Sequence, residues 1–142
     1  MTRLTEDLPA RDQLVALYES VGWTNYTRDA ESLQRAIRNS TWTLSAYDGE
    51  QLIGLARVVS DDVSIAYLQD ILVRPDGQRR GLGRTLLQAA LDRFAHVRQW
   101  MLLTDDKAST RAFYDAMGFA DVARLERHRL VAYARHRDVD LA

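Results

Sequence analysis

The sequence predicts an α/β domain with a mixed central sheet of about six to seven strands and helices on both faces. Two observations support this prediction. Helical and β-rich patterns follow one another in the order α-α-β-β-β-α-β-α-β, with no repeat or linker between them. At 142 residues the chain is long enough for one compact domain and too short for two ordinary ones. We therefore predict one domain over residues 1–142.

Composition and charge exclude several classes of protein. Hydrophobic residues at 46% and charged residues at 27% are typical of a globular fold. A net charge of −1 provides no global basic field for nucleic acid or an anionic membrane. With no cysteine, acyl transfer through a cysteine intermediate is excluded, and the three histidines lack metal-site spacing. The polar N-terminus and the absence of long apolar runs predict a soluble, cytoplasmic protein.

Two helices are predicted before the sheet. Leu14, Leu17, Tyr18 and Val21 recur at helical spacing, and Gly22 follows as a stop signal. The segment 23–26 is predicted as a short aromatic loop. A second helix follows, with Leu33, Ala36 and Ile37 on its apolar face.

The remaining elements follow from β-rich runs and one amphipathic pattern. Residues 42–47 and 51–59 are predicted to form an antiparallel hairpin around Asp48-Gly49. Strands are also predicted at 64–73 and 100–103, with one or two more in the tail near 130–133. Helices are predicted after Thr85 and over 109–117, the second capped by Gly118.

The loop between the strand ending at Val73 and the next helix is typical of a phosphate site. Helix N-termini carry unpaired N–H groups and positive potential, which an anion satisfies. Gly81 and Gly83 allow a sharp turn and close approach of a ligand. Arg79, Arg80 and Arg84 add positive charge.

Spacing excludes two common phosphate loops. A dinucleotide-binding turn requires G-x-G-x-x-G, but Leu86 stands where the third glycine belongs. A nucleoside-triphosphate loop requires four residues between its glycines and then lysine. Here five residues separate Gly77 from Gly83, and Arg84 follows.

The segment Gln78-Arg-Arg-Gly-Leu-Gly83 resembles the Q/R-x-x-G-x-G/A signature of the GCN5-related N-acetyltransferase (GNAT) superfamily. The segment Ala112-Phe-Tyr-Asp-Ala-Met-Gly-Phe119 resembles the second signature of that superfamily, in which a helix carries a tyrosine and ends at Gly-Phe. Lys107 departs from the pattern, because many relatives have asparagine there. The resemblance implies the GNAT fold, in which the strands 67–73 and 100–103 form a splayed pair.

The resemblance implies acetyl-coenzyme A as the acetyl donor and an amine as the acceptor, and it is compatible with a homodimer. It places the pantetheine arm beside a bulged strand and the pyrophosphate in the glycine loop. The implied donor-binding residues are Ile71, Leu72, Val73, Gln78, Arg79, Arg80, Gly81, Leu82, Gly83, Arg84 and Thr85.

Two residues are candidates for catalysis by direct attack of the amine on the thioester. Asp70 lies on the strand beside the predicted thioester, where it is a candidate general base, although an aspartate there also suits pairing with an arginine. Tyr114 matches the superfamily tyrosine, which implies a hydrogen bond or proton for the leaving thiolate.

Trp23 and Tyr26 are candidate acceptor contacts, because aromatic rings stack on aryl groups or hold cations; core packing is the alternative. Asp61 and Asp62 are either contacts for a cationic amine or caps of a turn. Val21-Gly-Trp23 and Ser60-Asp61 also resemble plant-type serotonin N-acetyltransferases, which favours an arylalkylamine or a polyamine. The alternatives are acetylation of a protein N-terminus or lysine, and a non-enzymatic acyl-coenzyme A sensor.

Overall fold

The computed structural model describes residues 1–78 and 80–141. It divides into two compact units, Met1–Leu103 and a second unit that begins at Thr104. The first unit contains one five-stranded sheet in the order β1-β2-β3-β4-β5. Its strands are β1 (Thr2–Thr5), β2 (Trp42–Asp48), β3 (Gln51–Ser60), β4 (Ile65–Val73) and β5 (Gln99–Leu102). Its helices are α1 (Arg11–Ser20), α2 (Thr24–Thr27), α3 (Ala30–Asn39) and α4 (Leu82–Arg93).

The sheet is mixed, as predicted. Its first four strands are antiparallel to their neighbours, and β5 pairs parallel with β4. The chain reaches β5 from β4 through α4, because a parallel neighbour requires a crossover connection.

The prediction of six to seven strands is wrong, because the described residues form five. β1 was not predicted: it has only four residues, three of them exposed, and no apolar alternation. The strands predicted in the tail are absent from the described residues up to 141. Leu130, Val131 and Tyr133 are largely exposed, and β-propensity without a paired edge and a buried face does not make a strand.

Helices α1 and α3 cover one face of the sheet. Their apolar side chains form a core with Leu52, Leu55 and Leu72 of the sheet. The members from the helices are Leu14, Leu17, Tyr18, Leu33 and Ile37, which includes most of the positions on which both helices were predicted. The predicted aromatic loop at 23–26 is wrong in one respect, because Thr24–Thr27 forms the single helical turn α2.

Helix α4 packs on β3 and β4. A glycine on β3 allows its close approach: a Cβ atom on Gly54 would lie 3.2 Å from methyl carbons of both Leu82 and Leu86. Gly81, which precedes the helix, has φ of 76°, a backbone conformation that favours glycine. No helix within residues 1–78 and 80–141 is both long enough and apolar enough to cross a membrane.

The second unit contains helix α5 (Ala108–Ala116), which ends in a Schellman motif. The N–H of Phe119 donates to the carbonyl of Tyr114, and the N–H of Gly118 donates to that of Asp115. Gly118 has φ of 88°, and the Phe119 ring lies 5.8 Å from the Tyr114 ring. The predicted cap at Gly118 is confirmed, and the Gly-Phe pair fixes the surroundings of Tyr114.

Replacing Gly54 with valine should destabilise the first unit by about 1–3 kcal/mol, because the new side chain overpacks the contact with Leu82 and Leu86. Urea unfolding measures the change. An unfolding free energy equal to that of the unaltered chain would show that α4 does not depend on this close approach.

Candidate active site

Strand β4 carries a β-bulge at Gln69. Arg57 of β3 is opposite Asp70, whereas the next residue, Val58, is opposite Leu68. One residue of β4 therefore has no partner on β3, which is the pattern of a bulge. The resemblance implied a bulged strand here, and the structure contains one.

The bulge places Asp70 and Leu68 on opposite faces of the sheet. Arg57 and Val58 are consecutive on β3, so their side chains point to opposite faces, and their partners on β4 follow them. Without the extra residue, Asp70 and Leu68 would share one face. Asp70 thus points to the face covered by α1, where Tyr18 donates to it.

Beyond the bulge, no strand among residues 1–78 and 80–141 pairs with the second edge of β4, which is called the open edge here. Pairing with β5 covers only Ile65–Leu68, although β4 continues to Val73. The N–H of Arg74 donates to the carbonyl of Ile53 on β3. Because directions alternate along a strand, the N–H of Leu72 also faces β3, and those of Ile71 and Val73 face the open edge. Pairing of β4 with β5 therefore ends before the bulge, within the pair of strands for which the resemblance implied a splay.

The glycine loop joins the open edge to α4. The side-chain amide of Gln78 donates to the carbonyl of Val73 over 2.8 Å and ties the loop to the end of β4. Gly81 is exposed, and a Cβ atom there would meet open space, so this glycine is needed for its φ angle. Arg80 and Arg84 are exposed, as is Thr85, whose hydroxyl donates to the carbonyl of Gly81. Arg79 lies outside the described residues.

Asp70 lies at the centre of a buried polar network. Its carboxylate Oδ2 accepts from Nε and Nη2 of Arg57 at 2.8 and 2.7 Å and from the Tyr18 hydroxyl at 2.8 Å. Its Oδ1 accepts from the Tyr26 hydroxyl at 2.9 Å. The Asp70 side chain is 2% exposed, and that of Arg57 is 8% exposed. The pairing with arginine that the sequence left as the alternative for Asp70 is present.

Arg57, Tyr18 and Tyr26 keep their ordinary charge states in this network. Burial lowers the pKa of Arg57, whereas the charge of the Asp70 carboxylate and its hydrogen bonds raise that pKa. The net shift is upward, so the guanidinium stays charged. Burial and the Asp70 charge raise the pKa of Tyr18 and Tyr26, so both phenols stay protonated and donate. The network is therefore a charged pair held by neutral donors.

Trp23 and Tyr26 form an aromatic cluster with Tyr18. The Tyr26 ring lies 5.1 Å from that of Tyr18 and 6.2 Å from that of Trp23. Tyr18 is fully buried, whereas Tyr26 is half-buried and Trp23 is 37% exposed. The side-chain amide of the bulge residue Gln69 donates to the Tyr26 hydroxyl over 3.2 Å. The cluster therefore contacts the bulge directly.

Tyr114 belongs to the second unit and is half-buried there. Burial, with a contribution from the charge of Asp105, raises the pKa of its phenol. The hydroxyl is thus protonated at neutral pH and available as a donor. Lys107 immediately precedes the same helix and pairs with Asp105 at 3.2 Å.

Asp61 and Asp62 are engaged in the turn before β4. The Asp61 carboxylate accepts from the backbone N–H groups of Val63, Ser64 and Ile65. Asp62 contacts His96 at 2.8 Å and Arg93 at 3.4 Å. These contacts favour the turn-capping alternative over contact with an amine.

Sequence reasoning missed Arg57, Tyr18 and Gln69. Tyr18 was recognised only as an apolar position of α1, because the helical pattern does not reveal a hydroxyl partner. Arg57 carries a usable signal: it is a lone charge within the apolar run Leu55-Ala-Arg-Val-Val59, and a charge in a buried strand requires a partner. Gln69 offers no signal of its own.

Replacing Tyr18 with phenylalanine should lower the free energy of unfolding by about 1.5–3 kcal/mol, because a buried carboxylate loses a hydrogen-bond donor. Urea unfolding measures this loss. Tyr47→Phe is the matched control, since Tyr47 packs partly buried against the same core. Equal stability of the Tyr18 variant and the unaltered chain would contradict the contribution of this bond.

Asp61 should make stability depend on acid pH. The bond from the Ser64 hydroxyl, followed by those from the backbone N–H groups, holds the pKa of Asp61 below its ordinary value of 3.8. A depressed pKa in the folded state adds stability above the unfolded value that is lost as pH falls through the folded value. The stability difference between the unaltered chain and Asp61→Asn should therefore shrink below about pH 4.

Urea unfolding from neutral pH down to about pH 3 measures that difference. Glu50→Gln, which changes an exposed carboxyl in the hairpin turn, is the control. A difference that stays constant over this range would contradict the assigned role of Asp61.

Comparisons with known proteins agree with this architecture. A protein of Streptococcus pneumoniae TIGR4 described as a GNAT-family acetyltransferase has a solved structure that matches at a TM-score of 0.79, with 31% identity, over 96% of this chain and 100% of that one. The [ribosomal protein bS18]-alanine N-acetyltransferase of Salmonella typhimurium is 31% identical over 137 residues, covering 94% of this chain and 88% of that protein.

A Gibberella zeae protein named as a candidate acetyltransferase is 35% identical over 106 residues, or 71% of this chain. The match spans only 57% of the length of that fungal protein. The subgroup of plant-type serotonin N-acetyltransferases is not shown by these matches, and the cytoplasmic location and the homodimer stay predictions. The model of the acetyltransferase (GNAT) family matches residues 7–119. The chain therefore belongs to the GNAT family of acetyltransferases, enzymes that transfer acetyl groups.

Proposed function

We propose that this chain is an acetyl-coenzyme A-dependent N-acetyltransferase that acetylates a primary amine directly, with a small arylalkylamine as the favoured acceptor. The observation that carries the proposal is the open edge of β4 from Ile71 to Val73, next to the glycine start of α4. An elongated donor with a thioester at one end and phosphates at the other matches this sequence of features.

Each part of the donor has a suitable partner in the first unit. The N–H groups of Ile71 and Val73 face the open edge and suit the pantetheine amides and the thioester carbonyl. The α4 N-terminus and the exposed Arg80 and Arg84 suit the pyrophosphate. Leu72 contributes less directly, because its backbone N–H faces β3 and its side chain is part of the core.

The reaction requires one bond to form and one to break. The neutral amine nitrogen bonds to the thioester carbonyl carbon and the carbon–sulfur bond breaks. The amine nitrogen loses one proton to solvent water, and the thiolate takes one proton from an acid that regains it from solvent. A backbone N–H aimed at the carbonyl oxygen contributes about 3 kcal/mol to such a step. Ile71 and Val73 are the proposed donors to that oxygen.

Tyr114 is the proposed proton donor to the thiolate. Burial raises the pKa of its phenol, so the hydroxyl keeps its proton until a stronger base needs it. The Schellman motif and the Phe119 ring fix this tyrosine at the end of α5. The protonated hydroxyl can donate a hydrogen bond or a proton to the thiolate.

The aromatic cluster supports an aryl acceptor over a polyamine. Trp23 and Tyr26 present partly exposed rings beside the bulge residue Gln69. The adjacent Asp70 carboxylate is paired with Arg57, so it offers no uncompensated charge to a second ammonium group. The resemblance to plant-type serotonin N-acetyltransferases favours the same class.

A protein N-terminus is the second candidate acceptor. Its support is the Salmonella relative named [ribosomal protein bS18]-alanine N-acetyltransferase, which matches 94% of this chain. An α-amine on a peptide would meet the same open edge of β4. Peptides and aryl amines therefore have to be compared in one assay.

The deciding assay measures acetyl-coenzyme A-dependent thiol release with arylalkylamines, polyamines and short peptides that begin with alanine. We expect release with an arylalkylamine at higher kcat/KM than with a polyamine of equal concentration. Release with peptides alone would replace the favoured acceptor by the second candidate. Binding of acetyl-coenzyme A without release on any amine would reject the proposal in favour of a sensor.

Replacing Tyr114 with phenylalanine should lower kcat about a hundredfold, because general acid catalysis contributes at least that factor. The KM for acetyl-coenzyme A should change by less than about threefold, since the lost hydroxyl acts on the departing thiolate. Steady-state kinetics measure both. Tyr133→Phe is the control, because that ring is 94% exposed in the tail. Unchanged kcat in the Tyr114 variant would exclude this role.

A further inference from the structure

The reaction proposed above leaves the buried network around Asp70 without a function. Both oxygens of the Asp70 carboxylate accept hydrogen bonds, from Arg57 and Tyr18 on Oδ2 and from Tyr26 on Oδ1. A side chain 2% exposed with these partners is poorly placed to receive a proton from an incoming amine. These contacts indicate a role for Asp70 other than that of a base.

We propose that Arg57 and Asp70 are positioning residues, whose ion pair fixes the bulge at Gln69 and thereby holds the N–H groups of Ile71 and Val73 on the open edge. The inference rests on the proposed function, because it assigns these N–H groups to the donor. It concerns a different part of the molecule from the residues that would touch the donor.

The bulge at Gln69 decides whether Asp70 and Arg57 can meet. Asp70 meets Arg57 only because the extra residue Gln69 turns it to the face covered by α1. A regular β4 would turn Asp70 to the opposite face, where α4 packs with Leu86 and Leu87 fully buried. Loss of the bulge therefore separates the two charges.

Separating Arg57 from Asp70 would cost free energy of folding. Breaking a buried ion pair by isolating one charge is strongly destabilising, by about 3–5 kcal/mol. Here a change of register would isolate two buried charges at once and also remove the acceptor from the Tyr18 and Tyr26 hydroxyls. The pair thus makes the bulged register of β4 the only favourable one.

The register of β4 determines which of its N–H groups face the open edge. A shift of one residue in β4 reverses the direction of every backbone N–H beyond the bulge. The groups of Ile71 and Val73 would then face β3, and that of Leu72 would face outward. Even a small displacement matters, because a misplacement of about 1 Å costs on the order of a hundredfold in rate.

The test compares Arg57→Lys with Asp70→Asn. Arg57→Lys keeps the charge and the Asp70 carboxylate but loses the two-pronged contact of the guanidinium. Asp70→Asn removes the carboxylate. Arg93→Lys is the matched control, since Arg93 pairs with Asp62 at the surface. Steady-state kinetics over about pH 6–9 give kcat, the KM for acetyl-coenzyme A and the pH profile.

We expect both variants to lower kcat about tenfold to a hundredfold while the KM for acetyl-coenzyme A changes less and the pH profile keeps its shape. The control should match the unaltered chain. Full activity of Arg57→Lys, with loss of the acid limb of the profile only in Asp70→Asn, would identify Asp70 as the base and overturn the inference. Unchanged kcat in both variants would overturn it as well.

A second measurement does not require turnover. Backbone NMR contacts between β3 and β4 report the register directly, in the unaltered chain, Arg57→Lys and the milder variant Tyr18→Phe. We expect the pairing of residues 57 and 70 to weaken in both variants, and an unchanged register in both would overturn the inference. If the unaltered chain releases no thiol with any amine, only the proposed function is rejected. The register measured by NMR still decides the role of the ion pair.

Discussion

The buried ion pair between Arg57 and Asp70 is the interaction on which the candidate site depends. It lies inside a sheet whose neighbouring positions are apolar, so its two charges stabilise the fold only while they remain together. Their separation is prevented by a single extra residue, Gln69, which turns Asp70 towards Arg57. The proposed role of the ion pair is to stabilise this interruption of regular strand pairing, because isolating either buried charge is strongly destabilising.

Two further backbone features, the edge of β4 and the start of α4, contribute to the candidate site. Pairing between β4 and β5 stops at the bulge, and no other strand in the described part of the chain pairs with this edge of the following β4 residues. Gly54 lets α4 approach the sheet closely and brings the N-terminus of this helix next to the end of that strand. An edge of unpaired N–H groups and a helix N-terminus are both binding features made of backbone. The site can therefore bind a donor mainly through main-chain groups, with arginines adding charge.

Much of this arrangement follows from local sequence, and the remainder depends on distant contacts. The glycine loop, the hairpin at Asp48-Gly49 and the cap at Gly118 are predictable because each needs a backbone conformation that glycine favours. Strand β1 and the tail were misjudged because strand formation depends on a partner edge, which pattern alone does not supply. The role of Asp70 was left open because Arg57, Tyr18 and Tyr26 are far away in the sequence.

In the proposed reaction, the edge of β4 beyond the bulge receives the thioester end of acetyl-coenzyme A. The most direct test is a crystal structure of the chain with a non-reactive analogue of acetyl-coenzyme A. The account predicts the N–H of Ile71 or Val73 within about 3 Å of the carbonyl oxygen of the analogue, with Asp70 still paired to Arg57. An analogue bound elsewhere, or a β4 edge covered by another strand of the chain, would contradict it.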